Sequence, residues 1–297
     1  MYNTGFCGLF VIMYYLLSAA AAYFTAAAGK MLDVNMRTPD FRALLGCISS
    51  FVSGFFVLAI YFLSGKLKSF RSSCLKKPEL TSLIKLIPVS CAVWLCGMFL
   101  NMIINKLAYD FFNITTISQL ASAPLPKVYL LNFLNVCIIA PVTEELFFRG
   151  ALFDSGKEYG NHFAAVFSAI MFTFAHGSVT IFGLPLVMGI VSAVVLIKTG
   201  CIFYCIFIHA LCNGASFVVA LLPQSEKLYF AENMFVLICG SAILVTVLIL
   251  KRKEIVGFLK NVFLQSRKFF SSASEIIALT AIILYYIYSN YSLHFLE

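Results

Sequence analysis

Apolar residues run along this chain in long blocks broken by short polar turns. The blocks fall at 6–28, 43–64, 84–104, 129–155, 162–178, 183–198, 201–222, 232–250 and 275–294. About 20 consecutive apolar residues carry a helix across a bilayer, and lipid forces every backbone polar group to bond within its own segment or within a closed barrel. The pattern therefore predicts an all-α, polytopic transmembrane bundle of eight or nine spans, with 162–178 and 183–198 short. No internal repeat and no low-complexity tract interrupts it, and no loop is long enough for a soluble domain.

Composition narrows the class further. Of 297 residues, 61% are hydrophobic and only 11% charged, with a mean hydropathy of +0.95, against ~25% charged in an ordinary soluble domain. That excludes a soluble globular protein, a disordered chain, collagen and a nucleic-acid binder. The net charge of +8 reads instead as topology. With the N-terminus inside, Lys66, Lys68, Arg71, Lys76, Lys77, Lys85, Lys157, Lys198, Lys251, Arg252, Lys253, Lys260, Arg267 and Lys268 are cytoplasmic. Lys30, Arg37, Arg42, Lys106, Lys127 and Lys227 are outside and Arg149 is within a span, the bias that the positive-inside rule describes. The expected location is the cell membrane, N-terminus cytoplasmic and C-terminus out, with anionic lipid attracted to the inner face.

Two segments need separate reading. The first 28 residues lack a basic n-region and their apolar run is too long for a secretory signal, so an uncleaved first helix is expected. Stretch 251–270 sets Ile255, Leu259, Val262 and Phe263 at helical spacing among Arg252, Lys253, Lys260 and Arg267, as an interfacial helix does. The ten cysteines contain no CxxC pair; they read as free thiols packed between helices.

An ionisable group at bilayer depth costs at least ~2.5 kcal/mol on insertion scales, so each one needs a partner or a task. Of the 13 acids only Glu144 and Glu145 lie well inside an apolar run, and of the four histidines only His176 and His209 do; His162 and His294 sit at span ends. Within APVTEELFFRG, Ala140 to Gly150, Glu145 and Arg149 are four apart and meet on one helix face, acid first. Glu144, turned about 100° away, finds Phe147 and Phe148 at its own i+3 and i+4. Glu144 is thus free for chemistry, and Glu145 with Arg149 forms a structural clamp. Pro141 marks either a kink or a fresh helix start.

The other two polar islands are FTFAH, pairing Phe172 with His176, and HALCN, pairing His209 with Asn213. Each pair projects from one helix face. Residue 160, midway between Glu144 and His176, falls in the polar turn GKEYGN. Two helical arms would hang both side chains at similar depth, roughly 24 Å from that turn. His209, some nine residues past the turn at 198–201, matches that depth less well.

Together the three segments resemble the CPBP family, the CAAX-protease and bacteriocin-processing group of intramembrane peptidases. The family pattern EExxxR, FxxxH and HxxxN or HxxxD reads here as Glu144-Glu145-x-x-x-Arg149, Phe172-x-x-x-His176 and His209-x-x-x-Asn213. The resemblance covers about 135–220. It divides the chain into N-terminal helices (1–127), a catalytic helical core (128–222) and C-terminal helices with the interfacial segment (223–297).

What the resemblance implies is hydrolysis of a peptide bond in a membrane-associated peptide or protein, the bilayer being the other partner. Glu144 then looks like the base that activates water, with Glu145, Arg149 and Phe172 in support. Glu144, His176 and His209 either ligate zinc, or the histidines polarise water and carbonyl while Asn213 completes the oxyanion site. Both arrangements stay open, and neither substrate identity nor oligomeric state follows from the motifs. Deep ionisable groups also serve proton- or ion-coupled transporters, and a catalytically silent scaffold of the same fold is a third class.

Overall fold

The computed structural model describes residues 6–31, 39–61, 63, 75–112, 126–222, 225–271 and six positions between 276 and 283. The span expected at 275–294 falls largely outside the described residues, as do Arg37, Lys66, Lys68, Arg71 and His294. Nine helices are described: α1 (Phe6–Met31), α2 (Pro39–Tyr61), α3 (Leu80–Phe112), α4, α5 (Asn161–Ala175), α6 (Gly183–Thr199), α7 (Ile202–Ala220), α8 (Glu226–Leu250) and α9 (Arg252–Phe269). Helix α4 is composite, running Pro126–Leu134, Asn135–Ile139, Ala140–Glu145, Leu146–Leu152 and Phe153–Gly156, with the second and fourth stretches wound as π-helix. The protein is an all-α integral membrane bundle; a lone bridge between Leu75 and Cys201 is the β-pairing among the described residues.

Five helices reach spanning length with an apolar window: Ile12–Met31, Leu80–Phe112, Tyr129–Gly156, Ile202–Ala220 and Glu226–Leu250. α5 and α6, at 15 and 17 residues, are the two short blocks of the hydropathy pattern. α8 presents Phe235, Ile238, Val245 and Ile249 outward, a surface suited to acyl chains.

Pro141 neither ends nor restarts α4. A proline inside a helix removes one i→i−4 bond and pushes on the carbonyl four residues back. The π-turn immediately before it widens the backbone, with Ala140 N–H bonding Asn135 O, so the proline fits within a continuous rod. Buried against α2, α4 comes so close at Gly54 that a Cβ there would lie 2.8 Å from Thr143 Cβ.

The core is the mutual packing of α3, α6 and α7, with α5 laid on α6, α8 on the outer side of α3, and α2 against α4. Apolar side chains gain nothing by leaving lipid, so close approach through small residues has to hold such helices together. α3 and α6 meet at Gly97 and Gly183, where a Cβ on Gly183 would fall 2.5 Å from Asn101 N. Asn101 Oδ1 accepts the N–H groups of Gly183 and Leu184, capping α6 from a neighbouring helix. This satisfies donors that a helix start leaves without intrahelical partners.

α9 takes the place expected for the interfacial segment, with one flank docked on the protein. Gln265 Oε1 accepts the N–H groups of His162 and Phe163 at 3.1 and 3.0 Å, capping α5. Phe269, 1% exposed, packs among Tyr159, Phe163 and Phe167. Gly160 makes room for this latch: its φ of +128° suits glycine, and any Cβ there would strike the Gln265 side chain.

Gly183→Ala should force α3 and α6 apart and lower stability by about 1 to 3 kcal/mol. Asn101→Ala, which removes a cap without adding volume, should cost about 1 kcal/mol. Thermal unfolding in detergent reads both, and unchanged stability in Gly183→Ala would contradict the close crossing.

Candidate active site

Three helices converge on the middle of a fourth, α4. From α4 come Glu144, Glu145 and Arg149; from the C-terminal end of α5 come Phe172 and His176; from α7 come His209 and Asn213. α6 contributes only room: Gly189 faces the guanidinium, and a Cβ there would approach Arg149 Nη2 to 2.9 Å.

The acid–base pair expected from i,i+4 spacing is present. Arg149 Nε stands 3.1 Å from Glu145 Oε2, and both side chains are fully buried. A buried charge persists only when paired and further hydrogen-bonded or stacked. Arg149 has both a carboxylate and the Phe172 ring, whose centroid lies 4.3 Å from its Cζ. This is a desolvated cation–π contact. The same ring meets His176 edge-on at 4.8 Å and His209 at 5.5 Å. Phe172 is therefore one platform under three polar side chains, its aromatic character required by all of them.

Glu145 does more than the clamp foreseen for it. Its Oε1 lies 2.9 Å from His209 Nδ1, so one carboxylate holds Arg149 on its own helix and His209 on another. The paired carboxylate is an acceptor, so His209 Nδ1 carries the hydrogen and Nε2 faces the site. In His176, Nδ1 lies 2.9 Å from the Phe172 carbonyl oxygen. A carbonyl only accepts, so here too Nδ1–H donates, leaving Nε2 as the outward nitrogen.

Glu144 is half-buried, like His176 and Asn213, with its side chain 17% accessible and its Oε2 3.9 Å from His209 Nε2. It makes no hydrogen bond to a described residue and lies within electrostatic reach of His176. The depth mismatch expected for His209 is absent: α7 brings it level with the acid pair. Asn213 sits one turn further along, where Nδ2 donates at 2.8 Å to the Val136 carbonyl, leaving its second amide hydrogen for another acceptor. Val136 lies in the first π-stretch, where i→i+5 winding loosens the backbone, a feature common at functional sites.

The structure thus joins six of the seven residues singled out in the sequence in one contact network, while Asn213 is bonded to Val136. Spacing did not reveal the Glu145–His209 bond, the Gly189 recess or the Val136 acceptor, each of which links segments distant in the chain. Among the described residues no group of three or more His, Cys, Asp or Glu side chains is arranged to hold a metal ion; Glu144, His176 and His209 are near one another without converging on a common point. The described cysteines are free.

Residues 126–215 match the family model described as type II CAAX prenyl endopeptidase Rce1-like. The matched segment holds every site residue named above. No curated protein and no solved structure matches the chain.

Removing either partner of the buried pair leaves an uncompensated charge, so Glu145→Ala and Arg149→Ala should each lower stability by about 3 to 5 kcal/mol. Denaturant unfolding in detergent checks this, and a wild-type midpoint for either would sink the clamp.

Proposed function

From the match of residues 126–215 to the family model of Rce1-like type II CAAX prenyl endopeptidases, we propose that this protein hydrolyses a peptide bond in a membrane-associated peptide or protein, with Glu144 as general base. The observation that carries this reading is the division of labour between adjacent glutamates. Glu145 is buried and committed to Arg149 and His209, while Glu144 is accessible and uncommitted beside two oriented imidazoles.

The chemistry follows from donors and acceptors. A water between Glu144 and His176 gives one hydrogen bond to the carboxylate and the other to the lone pair on His176 Nε2, which leaves an oxygen lone pair for attack. As the water oxygen adds to the scissile carbonyl, its proton passes to Glu144 and the carbonyl oxygen becomes an oxyanion. The oxyanion is met by the second amide hydrogen of Asn213 and by His209, which donates Nε2–H in its imidazolium form. Glu144 then delivers its proton to the departing amine, and the carbon–nitrogen bond breaks. Preorganisation supports the scheme, since each imidazole is held through Nδ1 before substrate arrives.

The same Nδ1 anchoring is the arrangement that orients histidine ligands of metals, with a carbonyl or carboxylate behind each ring. Zinc on Glu144, His176 and His209 is accordingly the second reading. It requires the three groups to draw closer than they stand here, so no step above is routed through it.

Location in the cell membrane with the N-terminus cytoplasmic belongs to the same proposal and is supported by the excess of basic residues in the loops that this orientation puts inside.

Glu144→Gln should fold normally and lose turnover by at least ~100-fold, and His176→Ala and His209→Ala should also be inactive. Cleavage of a membrane-proteome peptide mixture by purified protein, assayed with and without a zinc chelator, separates the readings. Full activity of Glu144→Gln would overturn the base assignment, and chelator-sensitive cleavage restored by zinc would favour the metal.

A further inference from the structure

At the end of the bundle where α4 turns into α5 and α6 into α7, a cavity of about 320 Å³ is lined by Lys76, Phe153, Lys157, Asn161, Ile197 and Lys198, among others. Lys157 lies 13 residues beyond Glu144 along the same rod, roughly 20 Å away, so the cavity is separate from the active site. Its lysines come from three segments: the extended stretch before α3, the α4–α5 turn and the end of α6.

Lys76 is held there by the backbone. Its N–H donates to Gly200 O at 3.1 Å, Leu75 bridges to Cys201, and Glu79 N–H donates to Tyr204 Oη. The Lys76 methylenes lie on Gly200, where a Cβ would come within 3.1 Å of Cε. Lys157 is matched by Asp154 at 3.1 Å, which also accepts from the Tyr61 hydroxyl. Lys251 is matched by Glu254. Lys76 and Lys198 make no ion pair among the described residues, and Glu254, paired with Lys251, acts on Lys198 only at longer range, so the cavity carries a net positive charge.

We infer that this cavity is a binding site for a phosphate-bearing anion, presented at this boundary by the headgroup of an anionic phospholipid. Position and surroundings select that source. The cavity opens at the helix ends, where headgroups lie, and Phe153 and the partly exposed Ile197 supply apolar wall beside the charges. α9, latched to α5 on the same side, presents Val256, Leu259 and Phe263 outward with Lys253, Lys260 and Arg267 beside them in the sequence, a face that suits an anionic leaflet. A basic pocket between helices at such a boundary has the chemistry to hold a phosphate headgroup.

The test is lipid retention by full-length protein, independent of any peptidase activity. Protein purified from detergent with equal phosphatidylglycerol and phosphatidylcholine is analysed by native mass spectrometry, beside the double variant Lys76→Gln/Lys198→Gln and the α9 variant Lys253→Gln/Lys260→Gln. We expect retained phosphatidylglycerol in wild type and in the α9 variant, with affinity falling about 5-fold per pocket lysine and about 25-fold in the pocket double variant. In a second arm, inorganic phosphate is added without lipid. A thermal shift there, lost in the pocket variant, together with no lipid preference would keep the phosphate site and reassign its source to soluble anion. Equal retention by wild type and pocket variant with no phosphate-dependent shift, or loss confined to the α9 variant, would overturn the proposal.

Discussion

A glutamate and an arginine, both wholly buried in a membrane protein, constrain the rest of this molecule. Neither charge survives there alone, and their pairing on one turn of α4 supplies only part of what each requires. The remainder is drawn from three other helices. α5 gives the Phe172 face to the guanidinium, α6 gives the empty space at Gly189, and α7 gives the His209 ring to the second carboxylate oxygen. The ion pair is thereby the point about which four helices are registered. The geometry of the neighbouring Glu144 is a by-product of that registration.

The elements lying in long hydrophobic runs were legible in the sequence, because lipid permits little besides helix. α7 at Ile202–Ala220 answers to a block read at 201–222, and α9 at Arg252–Phe269 to an amphipathic stretch read at 251–270. The Glu145–Arg149 pair was legible for the same local reason: four residues is one turn. What linked segments 64 or more residues apart was not. Nothing in HALCN signals that His209 meets Glu145, and helix-length arithmetic put the two at different depths. Likewise Asn213 was read as an oxyanion donor by motif alone, while one of its hydrogens is engaged by a carbonyl of α4. Pro141 was ambiguous because local rules allow a kink or a start, and the π-turn that absorbs it leaves no mark in composition.

The short helices bear on how water reaches a site in lipid. α5 and α6 extend roughly 22 and 25 Å, less than the ~30 Å hydrocarbon core. His176 follows directly on α5 and precedes Gly177, the Val179–Ile181 turn and the start of α6. Irregular backbone at membrane depth is tolerated where it is buried in protein or lines a wet cavity. A hydrolase needs water at that place, and the chain puts its non-helical backbone there.

The two π-stretches bracketing Ala140–Glu145 act as phase adjusters. Each wide turn takes up one residue more than an α-helix would, advancing the sequence about 100° around the axis while barely lengthening the rod. A single α4 thereby offers Thr143 to α2, Glu145 and Arg149 to the interior and an accessible Glu144. Rewinding the same residues 135–139 as ordinary α-helix would rotate one half of the rod against the other. On this view, lengthening the chain by single residues is how such a helix comes to face several neighbours at once, and its length is less free to vary than that of any loop.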